Sequence, residues 1–246
     1  GSPASAGRLT VPAVSPCTAV SLCTCVRRSS SPTFYKWSEQ NDPVMGGQSS
    51  GNFSVVEQGS ESYGLFQGTV RNVSFLHAPG FCRFTTVFPG GKHENAAEFL
   101  EGGLKITLRH RHAGGHGGGH GGRGEEYQGF KVAVSSPGAS HHHGGHELFG
   151  MYKANFNVEG RPDSRDGWMD VLIPFRSMSS DWSDFTGECA TKDPDGYQHK
   201  CCETGREPVC PNAKTMGTIN GFSIWAEGTA GDFALEVKSI SAVRRG

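Results

Sequence analysis

The 246 residues carry 23 Lys and Arg against 24 Asp and Glu, a formal net charge of −1, so no global field recruits nucleic acid or anionic lipid. With 36 Gly, 13 Pro, 15 Phe and few helix-favouring stretches, the composition describes many short strands joined by tight turns and excludes a helical bundle. Apolar runs such as Val171-Leu172-Ile173 fall far short of the ~18–20 residues of a membrane-spanning helix, which leaves a soluble or peripheral domain as the expectation.

Residues 1–32 are rich in Ser, Ala, Pro and Thr without a sustained period and cannot bury enough apolar surface to fold alone, so they read as an extended N-terminal tail. The opening Gly1-Ser2, in place of Met, fits a processed precursor or a cloning scar. From residue 33 the period of half-buried strands recurs. Leu104, Ile106 and Leu108 alternate with Lys105, Thr107 and Arg109, and Phe130, Val132 and Val134 with Lys131 and Ala133. The same pattern marks Val171, Ile173 and Phe175; Phe222, Ile224 and Ala226; and Phe233, Leu235 and Val237. Weaker alternation at 53–57, 63–71, 80–88 and 149–157 brings the expectation to about nine strands, enough for two packed sheets. No helical crossover pattern separates them, so the pairing is expected to be antiparallel. The fold class is therefore all-β, a two-sheet antiparallel sandwich over 33–246. Inserted loops are expected at 112–146, which holds two Gly/His tracts, and at 176–218; 89–103 is a third interruption.

The segment from Trp37 to Gly51 combines turn-forming Asn41-Asp42-Pro43 with paired Gly46-Gly47, which permit positive φ, before the next strand. Its functional reading is a rim pocket lined by the glycine amides and the Asn41 and Asp42 side chains.

Trp37, Asn41-Asp42-Pro43-Val44-Met45-Gly46-Gly47-Gln48-Ser49-Ser50-Gly51, Phe66-Gln67-Gly68 and Gly80-Phe81-Cys82-Arg83 come in order, followed by Tyr152-Lys153-Ala154-Asn155-Phe156, Trp168, Ile173-Pro174-Phe175, Ile219-Asn220-Gly221-Phe222 and Gly231-Asp232-Phe233-Ala234-Leu235. Together they resemble the complex I intermediate-associated protein 30 family across about residues 33–243. The resemblance implies a galactose-binding-like jelly-roll sandwich and assembly work on membrane electron-transfer complexes, in mitochondria or plastids. The Gly/His tracts and the stretch from about 178 to 216 depart from the family pattern and look like added contact surface.

Eight of the eleven histidines lie between His110 and His146. Imidazole favours Zn, Cu and Ni, yet Gly-rich spacing sets no ligand geometry, so solvated loops are expected and no metal site is assigned. Cys189, Cys201, Cys202 and Cys210 share the 176–218 stretch. Two disulfides are expected there, with three pairings open; zinc and free thiols are the rivals, and the adjacent Cys201-Cys202 lacks Cys-x-x-Cys geometry. Eight cysteines in all favour an oxidising compartment, and Cys82, inside an apolar run, reads as a buried thiol.

No Gly-x-Ser-x-Gly elbow, phosphate loop, His-Glu-x-x-His or dinucleotide fingerprint stands in a credible context, and Asp181, Asp184, Glu188, Asp193 and Asp195 read as solvated turn acids. The expectation is a non-enzymatic accessory subunit or assembly factor of a membrane electron-transport complex, without cofactor, peripheral to the membrane. Its host is a photosystem on the lumenal side of a thylakoid, favoured over respiratory complex I in a mitochondrion. Trp37, Asn41, Asp42, Met45, Trp182 and Phe185 are the candidate partner-binding residues, since Trp leads the residues on which interfaces depend. Trp225, inside a strand, reads as core. The alternatives are a carbohydrate-binding module, which needs an exposed aromatic platform, and a hydrolase, which needs two converging carboxylates.

Overall fold

The computed structural model describes residues 19–24, 37–42, 46–59, 61–110, 127–139, 150–158 and 166–245. In chain order the strands are β1 (Ala19–Thr24), β2 (Trp37–Asn41), β3 (Ser50–Gln58), β4 (Glu61–Val70), the short pair β5 (Asn72–Val73) and β6 (Ala78–Pro79), β7 (Phe81–Val87), β8 (Gly103–His110), β9 (Phe130–Ser135), β10 (Met151–Asn155), β11 (Met169–Pro174), β12 (Gly221–Glu227) and β13 (Gly231–Val243). One sheet runs β11-β8-β13-β4-β3 with β1 also on β13; the other runs β10-β9-β12-β7-β2. Every pairing between these strands is antiparallel. Apart from β3 to β4 and β9 to β10, which stay within one sheet, and the short β5/β6 pair, every step along the strands crosses between the two sheets, which makes this a jelly-roll sandwich.

Period two becomes packing directly. Leu104, Ile106, Leu108, Phe130, Val132, Val134, Phe222, Ile224, Phe233, Leu235 and Val237 are each no more than 1% exposed and face one another across the sandwich. Burying a side chain of this size stabilises by roughly 1.5–3 kcal/mol. The Phe53 and Phe84 rings stack at 4.5 Å, Trp37 lies 4.9 Å from Phe84, and Phe66 joins Phe84 to Phe233. Trp37 is thus half-buried against the core.

β13 keeps going after its alternation breaks. Its pairing with β8 shifts register between Val237 and Ser239, so the inward set passes from Phe233, Leu235 and Val237 to Ile240 and Ala242. One extra residue in a strand reverses the parity of every residue beyond it. β4 covers the first half of β13, up to Val237, and β1 covers Ser239 to Val243. The segment expected as an extended tail therefore contributes a strand. The Gly/His tracts, expected at 112–124 and 135–146, lie outside the described residues except for 135–139.

Candidate binding site

The rim loop after β2 is held by its own side chains. Asp42, 2% exposed, accepts hydrogen bonds from Ser49 N at 2.8 Å and Ser49 Oγ at 2.6 Å, while Arg71 N donates to Ser49 Oγ at 3.0 Å. A Cβ on Gly47 would lie 2.2 Å from Asp42 Cγ, and one on Gly80 would lie 1.5 Å from Asp42 Oδ2, so the carboxylate fits only because both are glycine. Gly46 has φ +81°, the turn geometry its pairing suggests. Asn41 Nδ2 donates to Gly51 O at 3.0 Å, and Glu39 Oε2 accepts from Phe53 N at 2.9 Å, so two side chains of β2 cover backbone groups on the free edge of β3. Asp42 thus spends its carboxylate and Asn41 its Nδ2 inside the fold, while Asn41 Oδ1 is buried without a hydrogen-bond partner, and Met45 lies outside the described residues.

The outward positions of the five-stranded sheet hold a cluster that alternation alone did not single out. Arg83 on β7, Trp225 and Glu227 on β12, Lys131 on β9 and Lys153 on β10 are all 5% exposed or less, although each stands on the face away from the core. The cover is the 176–218 segment. Lys153 and Ser179 exchange both backbone hydrogen bonds, at 2.9 and 3.0 Å, which attaches the segment to the edge of β10. Trp182, 8% exposed, then closes over the sheet. The Lys153 ammonium lies 3.6 Å from the Trp182 ring centroid, 3.9 Å from that of Trp225, and 2.8 Å from Glu227 Oε2. The Arg83 guanidinium stacks 4.6 Å over the other side of the same arrangement, on Trp225, and hydrogen-bonds Gln40 on β2. Lys131 Nζ donates to Asn155 Oδ1 at 3.1 Å and pairs with Glu188 Oε1 at 3.5 Å. Burial pushes the Lys153 ammonium below the ordinary lysine range against the opposing pull of Glu227, and burial brings Arg83 down to about 10. Three strand positions bearing cations on neighbouring strands, with a Trp between them, were the available signal.

The segment itself is cross-linked by Cys189–Cys201 and Cys202–Cys210, with Cα atoms 4.9 and 5.0 Å apart. This selects one of the three pairings. Cys202, Glu207 and Cys210 come within metal-ligand reach of one another, but the two sulfurs are bonded and offer no thiolate. Cys82 is a buried free thiol, pushed up to about 12 by burial and by the Asp42 charge.

Asp181 and Asp193, read from sequence as solvated turn acids, are drawn in by a residue that reading passed over. His199, 5% exposed, places Nδ1 at 2.7 Å from Asp181 Oδ1 and Nε2 at 2.8 Å from Asp193 Oδ2. Tyr197 OH donates to Asp181 at 3.2 Å, Lys200 N donates to it at 3.1 Å, and Ser183 Oγ donates to Asp193. Burial alone would lower the imidazole, but hydrogen bonds to Asp193 and Asp181, with their charges, raise it above the usual histidine value. Both ring nitrogens facing carboxylates call for the imidazolium, which compensates the buried Asp181 and the half-buried Asp193. Asp181 precedes Trp182, so this bond also sets the indole on Lys153. Phe185 is half-buried and Asp184 exposed on the outer turn of the segment.

Between β10 and the segment a cleft of about 280 Å³ remains open, lined by Lys153, Ala154, Asn155, Ser177, Glu188 and the Cys189–Cys201 pair among others. Of the candidate partner-binding residues, only Trp182 belongs to the covered cluster. Trp37 and Asn41 lie at the β2 edge, apart from it.

Comparison with known proteins finds distant solved structures over most of the chain and a family match over part of it. The family 11 carbohydrate-binding module from Clostridium thermocellum, in complex with a β-1,3-1,4-mixed-linked tetrasaccharide, shares 12% identity and a TM-score of 0.42 over 85% of this chain and 88% of its own. The family 11 module of the cellulosomal cellulase Lic26A-Cel5E of the same organism shares 11% identity and a TM-score of 0.45 over 92% of this chain and 95% of its own. At that level they say nothing about a ligand. No curated protein matches the chain. Residues 27–115, which include the rim loop and run through β8, match Complex I intermediate-associated protein 30 (CIA30), and the 176–218 segment lies outside that stretch.

Proposed function

We propose that this chain is a non-enzymatic accessory or assembly protein of a membrane electron-transport complex, binding protein subunits through its loops. The observation that carries the reading is the match of residues 27–115 to a family named for association with an intermediate of complex I. Respiratory complex I is the host that the name suggests. Two disulfides in one segment favour an oxidising lumen, hence a photosystem in a thylakoid as the second host. Peripheral attachment is part of this reading; among the described residues no helix is long and apolar enough to cross a membrane.

The other readings have less behind them. A sugar-binding face needs an exposed aromatic platform; among the described residues Trp168, Trp182 and Trp225 are 8% exposed or less, Trp37 packs on Phe84, and the strongly exposed aromatic ring is that of Phe75 alone, in the turn between β5 and β6. A hydrolase needs two free carboxylates converging in a cleft, but Asp181 and Asp193 are both committed to His199, and the cleft beside β10 is lined by a single acid, Glu188.

The test is native-gel separation of detergent-solubilised organelle membranes from the source organism, with the chain followed by mass spectrometry across the gel. Co-migration with a subcomplex of complex I or of a photosystem is expected. Migration as a free monomer, together with binding on a glycan array, would replace this reading with the carbohydrate-binding one.

A further inference from the structure

We infer that Cys189–Cys201 is a thiol–disulfide exchange site for a protein dithiol, and that opening it releases the cover over the Lys153 cluster while Cys202–Cys210 stays closed. The inference is independent of the host complex.

The two disulfides stand in different surroundings. Cys202 and Cys210 are 6% and 3% exposed. Cys189 and Cys201 are both half-buried and line the 280 Å³ cleft, which opens to solvent beside β10. Exchange requires an incoming thiolate to reach a sulfur, so access separates the pairs. Lys153 lines the same cleft, and Lys131 pairs with Glu188, the residue before Cys189.

What the bond joins gives the exchange a consequence. On one side, Glu188 pairs with Lys131, and its carbonyl accepts a hydrogen bond from Ser183 N at 3.0 Å. On the other, Lys200 N donates to Asp181 Oδ2, Lys200 O accepts from Ser179 Oγ at 2.7 Å, and His199 bridges Asp181 and Asp193. The Cys189–Cys201 bond ties these two arms together beside the cleft that Lys153, the seat of Trp182, also lines. With it cut, the two arms are no longer joined at that point, and the seat of Trp182 on Lys153 loses its cross-brace.

The chemistry balances with one dithiol. Its thiolate attacks the sulfur of Cys189 or Cys201, the S–S bond breaks, a mixed disulfide forms and the other cysteine leaves as thiolate. The second thiol of the dithiol then displaces the first cysteine. The dithiol is oxidised to its disulfide, and Cys189 and Cys201 take up the two electrons and two protons to become thiols.

The experiment is stepwise reduction of the full oxidised chain with dithiothreitol, quenched at intervals with N-ethylmaleimide and mapped by peptide mass spectrometry, with tryptophan emission and protease cleavage within 181–200 followed in parallel. Cys189 and Cys201 are expected to label at least ~10-fold faster than Cys202 and Cys210, because access controls the rate. The emission change and the new cleavage should accompany that first step. Opening of Cys202–Cys210 first, or of both together, would overturn the assignment of the site. A first step that leaves emission and cleavage unchanged would overturn its consequence. The C189S/C201S double variant should show the emission of the half-reduced chain from the start; should it fail to fold, the stepwise reduction of the unaltered chain decides alone.

Discussion

Lys153 sits beneath Trp182 at 3.6 Å, so the strand residue whose backbone pairs with Ser179 also carries the ring of the 176–218 segment that closes over the five-stranded sheet. The contact joins burial to electrostatics: the indole keeps water from the ammonium, and the ammonium gives the indole a cation to lie on.

Replacing Trp182 with Ala should lower the unfolding free energy by about 3–5 kcal/mol, the usual range for truncating a large buried aromatic. Denaturant unfolding of the oxidised protein measures it. Trp182→Phe, which keeps a ring over Lys153, should recover part of the loss.

Glu227→Ala removes the carboxylate 2.8 Å from Lys153 and leaves that ammonium buried. The expected loss is about 3–5 kcal/mol, because an unpaired buried charge costs more than the pair contributed. An equal midpoint for the variant and the unaltered chain would show that the cluster is wetter than its burial indicates.

Asp42→Ala strips Ser49 N and Oγ of their acceptor and should cost about 2–4 kcal/mol. Gly80→Ala forces a methyl to within 1.5 Å of Asp42 Oδ2 and should be at least as damaging. The double variant should be less unstable than the sum of the two, since removing the carboxylate makes room for the methyl. Additivity in a double-mutant cycle would mean that the Gly80 methyl meets something else.

The pH dependence follows from His199. Its folded value is raised, so the unfolded chain releases its proton more readily than the folded one. The stabilisation is complete below about pH 6.5, the ordinary histidine value, and is lost as pH rises through the raised folded value. Thermal unfolding of the oxidised protein should therefore weaken across neutral pH, and His199→Gln should remove that slope. Lys153, lowered by burial, contributes with the opposite sign at alkaline pH, which keeps the two effects apart.

Removing residues 1–24 deletes β1 and leaves Ser239–Val243 without their partner on that side. Hydrogen exchange should quicken in the second half of β13 and stay slow in Leu235–Val237, which β4 and β8 still flank.

The sandwich was legible because its core is written in period two: Leu104, Ile106 and Leu108, or Phe130, Val132 and Val134, needed only counting. β2 was not read as a strand, since Trp37-Ser38-Glu39-Gln40-Asn41 alternates weakly and is defined by what it covers on β3 and β7. β1 lay in a composition typical of tails, and its pairing with β13 depends on space left where β4 stops. Two disulfides were foreseen, whereas their pairing depends on where the chain places Cys189 against Cys201. The Lys153 cluster stayed hidden for a different reason. Lysines at outward strand positions look solvated until a distant segment covers them, and that segment's path is set by the His199 bridge between acids that look like ordinary turn residues.

Ala19 lies opposite Val243 in the pairing of β1 with β13, so the chain enters and leaves the sheet side by side. Anything joined upstream of that strand and anything joined downstream of β13 depart from one corner of the sandwich. Pulled by both ends, the domain would part like a zip, one ladder bond at a time, instead of bearing the load across its whole length. A fluorophore on each side of this doorway would report the first separation of β1 before the rest of the fold responds.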